Sequence, residues 1–127
     1  MVATISLIDL VEHIAESLEG AVMRHEILHD EIILSAKRED IVQVLQFLRD
    51  DSECQFKMLV SLCGVDYPER AERFEVVYNL LSLTQNNRIR VKISTSEDKF
   101  VPTVSKVFST AGWFEREAWD MYGIYFE

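Results

Sequence analysis

This chain has little that could ligate a redox centre, cross a membrane or cradle a phosphate. It holds two cysteines, Cys54 and Cys63. Two thiols make neither a disulfide framework nor a zinc site, so a reducing compartment is the default. The four glycines (Gly20, Gly64, Gly112, Gly123) stand singly, which excludes a glycine-rich nucleotide loop. No apolar run approaches membrane-spanning length. Bases are scarce, 13 against 22 acids for a net charge of −9. That sign disfavours nucleic acid and direct docking on anionic lipid. The N-terminus carries Asp9, Glu12, Glu16 and Glu19 before its first base, Arg24, the wrong charge for a targeting segment. There is no internal repeat, low-complexity tract or linker.

What is present reads as one domain spanning residues 1–127. The 48% hydrophobic content is ordinary for a soluble protein, and the length allows roughly two thirds of the unfolded surface to be buried. Ser6 suits a helix N-cap with Asp9 three residues on, and Leu7, Leu10, Val11, Ile14 and Leu18 recur at helical spacing up to Gly20. Residues 21–28 and 31–36 read as a hairpin turning at His29-Asp30, and Ile32-Ile33-Leu34, apolar on both faces, suggests an inner strand. A second helix buries Ile41, Val44, Leu45 and Leu48. The apolar run 56–65 reads as a central strand. Residues 74–83 and 88–94 form the clearest hairpin, with Ile89, Val91 and Ile93 alternating against Arg88, Arg90 and Lys92. Pro102 suits the first turn of a third helix with Val104, Val107, Phe108 and Ala111 inward and Gly112 closing it. The expected fold is therefore α+β and two-layered. About five mostly antiparallel strands pack against helices, in the order α-β-β-α-β-β-β-α-α.

Candidate chemistry is sparse. His25 and His29 flank the first hairpin turn and His13 lies on the polar face of the first helix beside Asp9. Nothing in their spacing forces convergence on a metal, so they read as surface histidines. Cys54 and Cys63 read as small buried apolar groups. Asp66-Tyr67-Pro68 reads as an Asx-type turn before proline, with a functional loop at a strand end as the alternative. The Arg88, Arg90, Lys92 row is a cationic face on an acidic protein, read as solvated, with an acidic partner as the alternative. No serine, cysteine or lysine has a histidine in a recognisable nucleophile motif.

The last thirteen residues are the densest stretch, with carboxylates, a guanidinium and large aromatics in a few turns of chain. As a helix over residues 113–122 they present two apolar rows, one of Phe114, Ala118 and Met121 and one of Trp119 and Tyr122. Each row needs a surface to cover it. Arg116 and Asp120 stand one turn apart and can pair. Gly123 is placed for a left-handed cap. The acids could form a general acid/base pair, but no nucleophile accompanies them, so a structural or interface role is the stronger reading.

Glu115-Arg116-Glu117-Ala118-Trp119-Asp120-Met121-Tyr122 closely resembles the E-R-E-x-x-D-hydrophobic-aromatic signature of the thirty-kilodalton-type subunit of respiratory complex I. That is the C-type subunit of NADH:quinone oxidoreductase. Pro102-Thr103-Val104 and Ala111-Gly112-Trp113 stand at the family's distances ahead of it. Asp66-Tyr67-Pro68 followed by Arg73-Phe74-Glu75-Val76-Val77-Tyr78 is similar to its central strands, and Gly123-Ile124-Tyr125-Phe126 to its continuation. Residues 56–127 carry the resemblance; the first 55 share only element order. Family members continue into an extended arginine-rich tail, so the sequence is expected to be truncated ahead of it.

The resemblance implies a non-catalytic member of the peripheral arm, with no cofactor of its own, in a complex that uses NADH, FMN, iron–sulfur clusters and quinone and couples electron transfer to ion translocation. Its expected partners are the forty-nine-kilodalton-type quinone-site subunit (the D-type) and other peripheral-arm subunits. It would touch the membrane only through them; the N-terminal charge, wrong for a targeting segment, points to the cytoplasmic side of a bacterial inner membrane, with the mitochondrial matrix side as the alternative. Glu115, Arg116, Glu117, Trp119, Asp120, Met121, Tyr122 and Gly123 are the expected signature and interface residues. The runner-up is the equivalent component of a related membrane-bound hydrogenase or quinone-linked dehydrogenase. A free-standing carboxylate-based hydrolase comes third.

Overall fold

Helix α1 (Leu7–Ser17) is the first element of the computed structural model, which describes residues 6–96 and 98–127. Ser6 Oγ accepts the Asp9 N–H at 3.2 Å, the cap its position predicts, and Leu10, Val11 and Ile14 face inward. The chain then forms β1 (Val22–Leu28) and β2 (Glu31–Ala36). His29 and Asp30 between them are both left-handed, at φ 52° and 62°, as a two-residue primed turn requires. A single 3-10 turn at Arg38–Asp40 leads into α2 (Ile41–Asp50), whose buried stripe is Ile41, Val44, Leu45 and Leu48 as expected. Then come β3 (Met58–Asp66), β4 (Phe74–Ser82), β5 (Asn87–Thr95) and the closing helix α3 (Ala111–Tyr122).

The class is α+β, as the sequence indicates, and the five strands make one sheet in the order β1-β2-β5-β4-β3. All neighbours are antiparallel except the β2–β5 pair. Parallel pairing there follows from connectivity, because the chain leaves β2, crosses through α2 and returns beside it only after two intervening strands, β3 and β4. β2 is an inner strand, in accord with its unbroken apolar core. β3 is not the central strand its composition suggests but lies at the sheet's edge. Its inward residues Leu59 and Leu62 are buried while Met58, Val60 and Cys63 are exposed. A bulge between Leu59 and Ser61 breaks its register with β4. An apolar run reports burial on both faces only if something covers both, and here helices cover one.

The segment expected as a separate helix after Pro102 forms isolated turns. Val107 and Phe108 N–H groups both donate to the Val104 carbonyl and the ladder goes no further before Ala111. Val104, Phe108 and Ala111 are nevertheless buried, as that pattern requires. Gly112 closes nothing; it lies in the first turn of α3.

Candidate protein-interaction site

α3 is held onto the fold by three devices, and each leaves its outward face free. The first is steric. Ala111, Ala118 and the partly buried Phe114 and Tyr122 face inward, and the end of the helix lies directly on β3. A Cβ at Gly64 of β3 would stand 2.8 Å from Ile124 Cδ1 and 2.9 Å from Tyr122 Cδ2, so any larger residue would have to push these side chains off the strand. The second is the cap. Gly123 is left-handed at φ 73°, and its N–H donates to the Trp119 carbonyl at 2.8 Å. The third is pairing of the final residues with the segment that precedes the helix. Val101 N–H donates to the Tyr125 carbonyl (2.7 Å), Glu127 N–H to the Val101 carbonyl (2.9 Å) and Thr103 N–H to the Glu127 carbonyl (2.8 Å).

Glu115 locks this arrangement. Its side chain is buried, with the residue 6% exposed, and both oxygens are engaged. Oε1 accepts the Thr103 hydroxyl at 2.6 Å and Oε2 accepts the Val104 N–H at 2.9 Å. The lock is a lone carboxylate, not the ion pair expected from the sequence. Among the described residues Arg116 makes no ion pair with Asp120 or any other acid, and Arg116, Glu117 and Asp120 all face solvent. The Tyr78 hydroxyl is also buried in this layer, and among the described residues nothing hydrogen-bonds to it. Burial first, and the Glu115 charge second, push its ionisation far above the ordinary phenol range.

Several large apolar side chains of α3 stay exposed, although on different sides of the helix. The two rows predicted for the helix do not both find cover. Tyr122 turns inward, while Trp119 (52% exposed), Met121 (66%) and Trp113 (80%) do not. Beyond the cap, Tyr125 is half exposed and meets Trp119 edge-on, ring centroids 6.0 Å apart at 70°. These two rings, with Arg116, Gly112 and Phe126, line a shallow cleft of about 320 Å³. Trp113 and Tyr125 are the candidates that sequence reasoning does not single out. Their signal is aromatic content on both sides of a signature whose own period looks complete.

Other candidates resolve into structure. His13 turns from Asp9 towards the end of α2, with Nε2 3.0 Å from Asp51 Oδ2 and 3.4 Å from Glu53 Oε2. These three ligand-type groups lie within 4.8 Å of one another, but Asp51 Oδ2 also accepts the Glu53 N–H, so the group already satisfies itself. Among the described residues no hydrogen bond of an Asx turn joins Asp66 to the backbone after it. Asp66 takes the Arg73 guanidinium at 2.9 and 2.7 Å, a bidentate charged pair that outcompetes a backbone N–H. The Arg73 hydrogen bonds hold its carboxyl below the usual range against the opposing pull of burial. Cys54 is buried as expected, whereas Cys63 is exposed on β3.

Comparison with known proteins gives concordant results. The family described as "Respiratory-chain NADH dehydrogenase, 30 Kd subunit" matches residues 34–127. The C-type NADH-quinone oxidoreductase subunit of Rhodospirillum rubrum is 60% identical over 121 residues, which is 95% of this chain and 57% of that protein. That of Maricaulis maris is 56% identical over 117 residues, 92% of this chain and 58% of that one. The chain thus spans little more than half the length of these relatives. Among solved structures, a chain in the membrane-bound sulfane sulfur reductase, an archaeal respiratory membrane complex, superposes with a TM-score of 0.80. That match covers 93% of this chain and 68% of the other at 24% identity, a likeness of fold alone. Among the described residues no helix is long and apolar enough to cross a membrane.

Proposed function

Since this chain belongs to the family of the respiratory-chain NADH dehydrogenase 30 Kd subunit, we propose that it is a structural component of an NADH:quinone oxidoreductase that docks on its neighbours through the outward face of α3. The observation that carries the docking surface is the exposed Trp119 of α3 in edge-on contact with the exposed Tyr125 just beyond it, beside a helix whose inward side is fixed by Glu115. Exposed aromatics on a rigid element are the usual anchors of protein interfaces. Arg116, with no ion pair among the described residues, stands beside Trp119 in the same cleft and is suited to a carboxylate of the neighbour.

In this reading the chain contributes no redox centre. An iron–sulfur cluster takes four ligands, and the two cysteines stand apart, one buried and one exposed. The partner at α3 is the forty-nine-kilodalton-type quinone-site subunit, and the chain meets the membrane through it, on the cytoplasmic side of a bacterial inner membrane. Electron transfer from NADH to quinone, and its coupling to ion movement, belong to the neighbours. The high identity to NADH-quinone oxidoreductase subunits favours that complex over the sulfur-reducing one, where only the fold is shared.

The test is Trp119→Ala and Arg116→Ala in the full-length protein in its own membranes. A central aromatic anchor is worth about 2 kcal/mol, so Trp119→Ala should cut retention of the protein in the complex roughly thirtyfold. The melting temperature of the purified chain should move little, because neither side chain is buried. Wild-type retention and NADH:quinone activity in both variants would refute the reading.

A further inference from the structure

The sheet carries its helices on one side only, and the other side is charged differently from the rest of the molecule. Strand alternation sends Arg88, Arg90 and Lys92 of the central strand β5 to this open side. The register extends the pattern across the sheet. One row runs Glu26–Ile33–Arg90–Asn79–Ser61 and the next Arg24–Ser35–Lys92–Val77–Cys63. Arg70 reaches the same face, where it pairs with Glu75 at 3.1 Å.

Charge is segregated. The open face holds five bases (Arg24, Arg70, Arg88, Arg90, Lys92) and three acids (Glu26, Glu31, Glu75), a local charge of +2. Of the 13 bases and 22 acids of the whole chain, eight against nineteen remain elsewhere, or −11. Two of the three acids are already engaged, Glu75 with Arg70 and Glu31 with Arg90 at 3.9 Å. Arg90 is further tied to Asn79, and Asn79 to Ser61, by hydrogen bonds of 3.1 and 2.9 Å. Arg88 and Lys92 make no ion pair among the described residues. Between the cations lie Ile33 and Val77, and towards the β3 edge Leu81 and the exposed Met58 and Val60.

We propose that this open sheet face is a second docking surface, occupied by an acidic, amphipathic segment of another protein whose carboxylates meet Arg88 and Lys92. Charge selects the occupant. A nucleic acid duplex or an anionic bilayer reaching the face would be repelled by the surrounding −11, whereas a short acidic segment contacts only the cationic row. Size agrees. Four strand spacings of about 4.8 Å make the face roughly 19 Å wide, room for a helix of about 10 Å diameter or one hairpin. The chain then bridges two partners, one at α3 and one at the open sheet.

The test is photo-crosslinking in the full-length protein in its own cells, with Cys63→p-benzoylphenylalanine in the Lys92 row. A crosslinker in place of Trp119, run in parallel, reports the α3 surface and the integrity of the fold, so either surface can fail alone. The expected adduct is one peptide of another protein with net negative charge. Arg88→Glu/Lys92→Glu should lower its yield about tenfold while leaving the Trp119 adduct intact. Lys57→Glu/Lys106→Glu, an equal charge change off this face, should not. The proposal is overturned by absence of an adduct, by one with a neutral or basic peptide, nucleic acid, lipid or a second copy of this chain, or by equal loss in both charge variants.

Discussion

Replacing Glu115 should weaken the fold in proportion to the hydrogen bonds removed. In Glu115→Ala the Val104 N–H, engaged at 2.9 Å in a buried position, loses its acceptor, and the Thr103 hydroxyl, engaged at 2.6 Å, must find another. A hydrogen bond to a charged group contributes about 1.5–3 kcal/mol, and an orphaned buried donor costs a similar amount. Relief from keeping a carboxylate out of water offsets part of this, leaving a net loss of about 3 kcal/mol. For a domain of this length roughly 4 °C of melting temperature goes with each kcal/mol, so about 12 °C should be lost. Glu115→Gln keeps one good acceptor and should lose about a third as much. Thermal unfolding by circular dichroism gives the order wild type, then Gln, then Ala. Hydrogen exchange should show the loss concentrated where residues 101–103 pair with 125–127. Were the Ala variant to melt within about 2 °C of wild type, or above it, the desolvation cost would outweigh the two hydrogen bonds and the lock would be no lock.

Tyr78→Phe should have the opposite sign. Its fully buried hydroxyl has no hydrogen-bond partner among the described residues, so deleting it should leave stability unchanged or raise it by up to about 1 kcal/mol; a drop in melting temperature of more than about 4 °C would count against this. The cysteines should differ in reactivity. Burial, then the charge of and hydrogen bond to Asp51 and the charge of Glu53, push the Cys54 thiol well above its ordinary range, while Cys63 is exposed. At pH 8 a thiol reagent should modify one residue in the native chain, Cys63, and two in denaturant; fast native labelling at Cys54 would refute the burial.

The parts of this fold legible in the sequence are those where local pattern and long-range pairing agree. β2 is legible to the residue because its apolar core Ile32-Ile33-Leu34 coincides with pairing on both sides, and β5 because its alternation is unbroken. The segment after Pro102 shows what local pattern misses. Its apolar spacing is helical, but the i→i−4 ladder stops after Phe108 N–H to Val104, and the neighbouring backbone pairs at long range: Val101 N–H to Tyr125, Thr103 N–H to Glu127 and Val104 N–H to Glu115. Those partners lie more than ten residues away, where no local pattern can reveal them. Glu115 escapes the pattern for the same reason. A period count puts charge outside, and only the two donors waiting behind the helix make burial of a lone carboxylate favourable.

The same separation explains why a twelve-residue helix can serve as a contact surface at all. Alone it would be marginal, and a fluctuating helix would have to be ordered at the moment of docking, at a cost of about 1–2 kcal/mol per residue fixed. Glu115, Gly64, Gly123 and the pairing of the last residues with 101–103 meet that cost during folding instead. Trp119 and Tyr125 are then presented on a rigid base, and their burial goes to affinity with little ordering left to offset it. Inward and outward residues should therefore fail in different assays, the first in melting temperature and the second in assembly. If Trp119→Ala and Glu115→Ala proved alike in both measurements, the helix would have no free face, and the docking surface would have to be sought elsewhere on the fold.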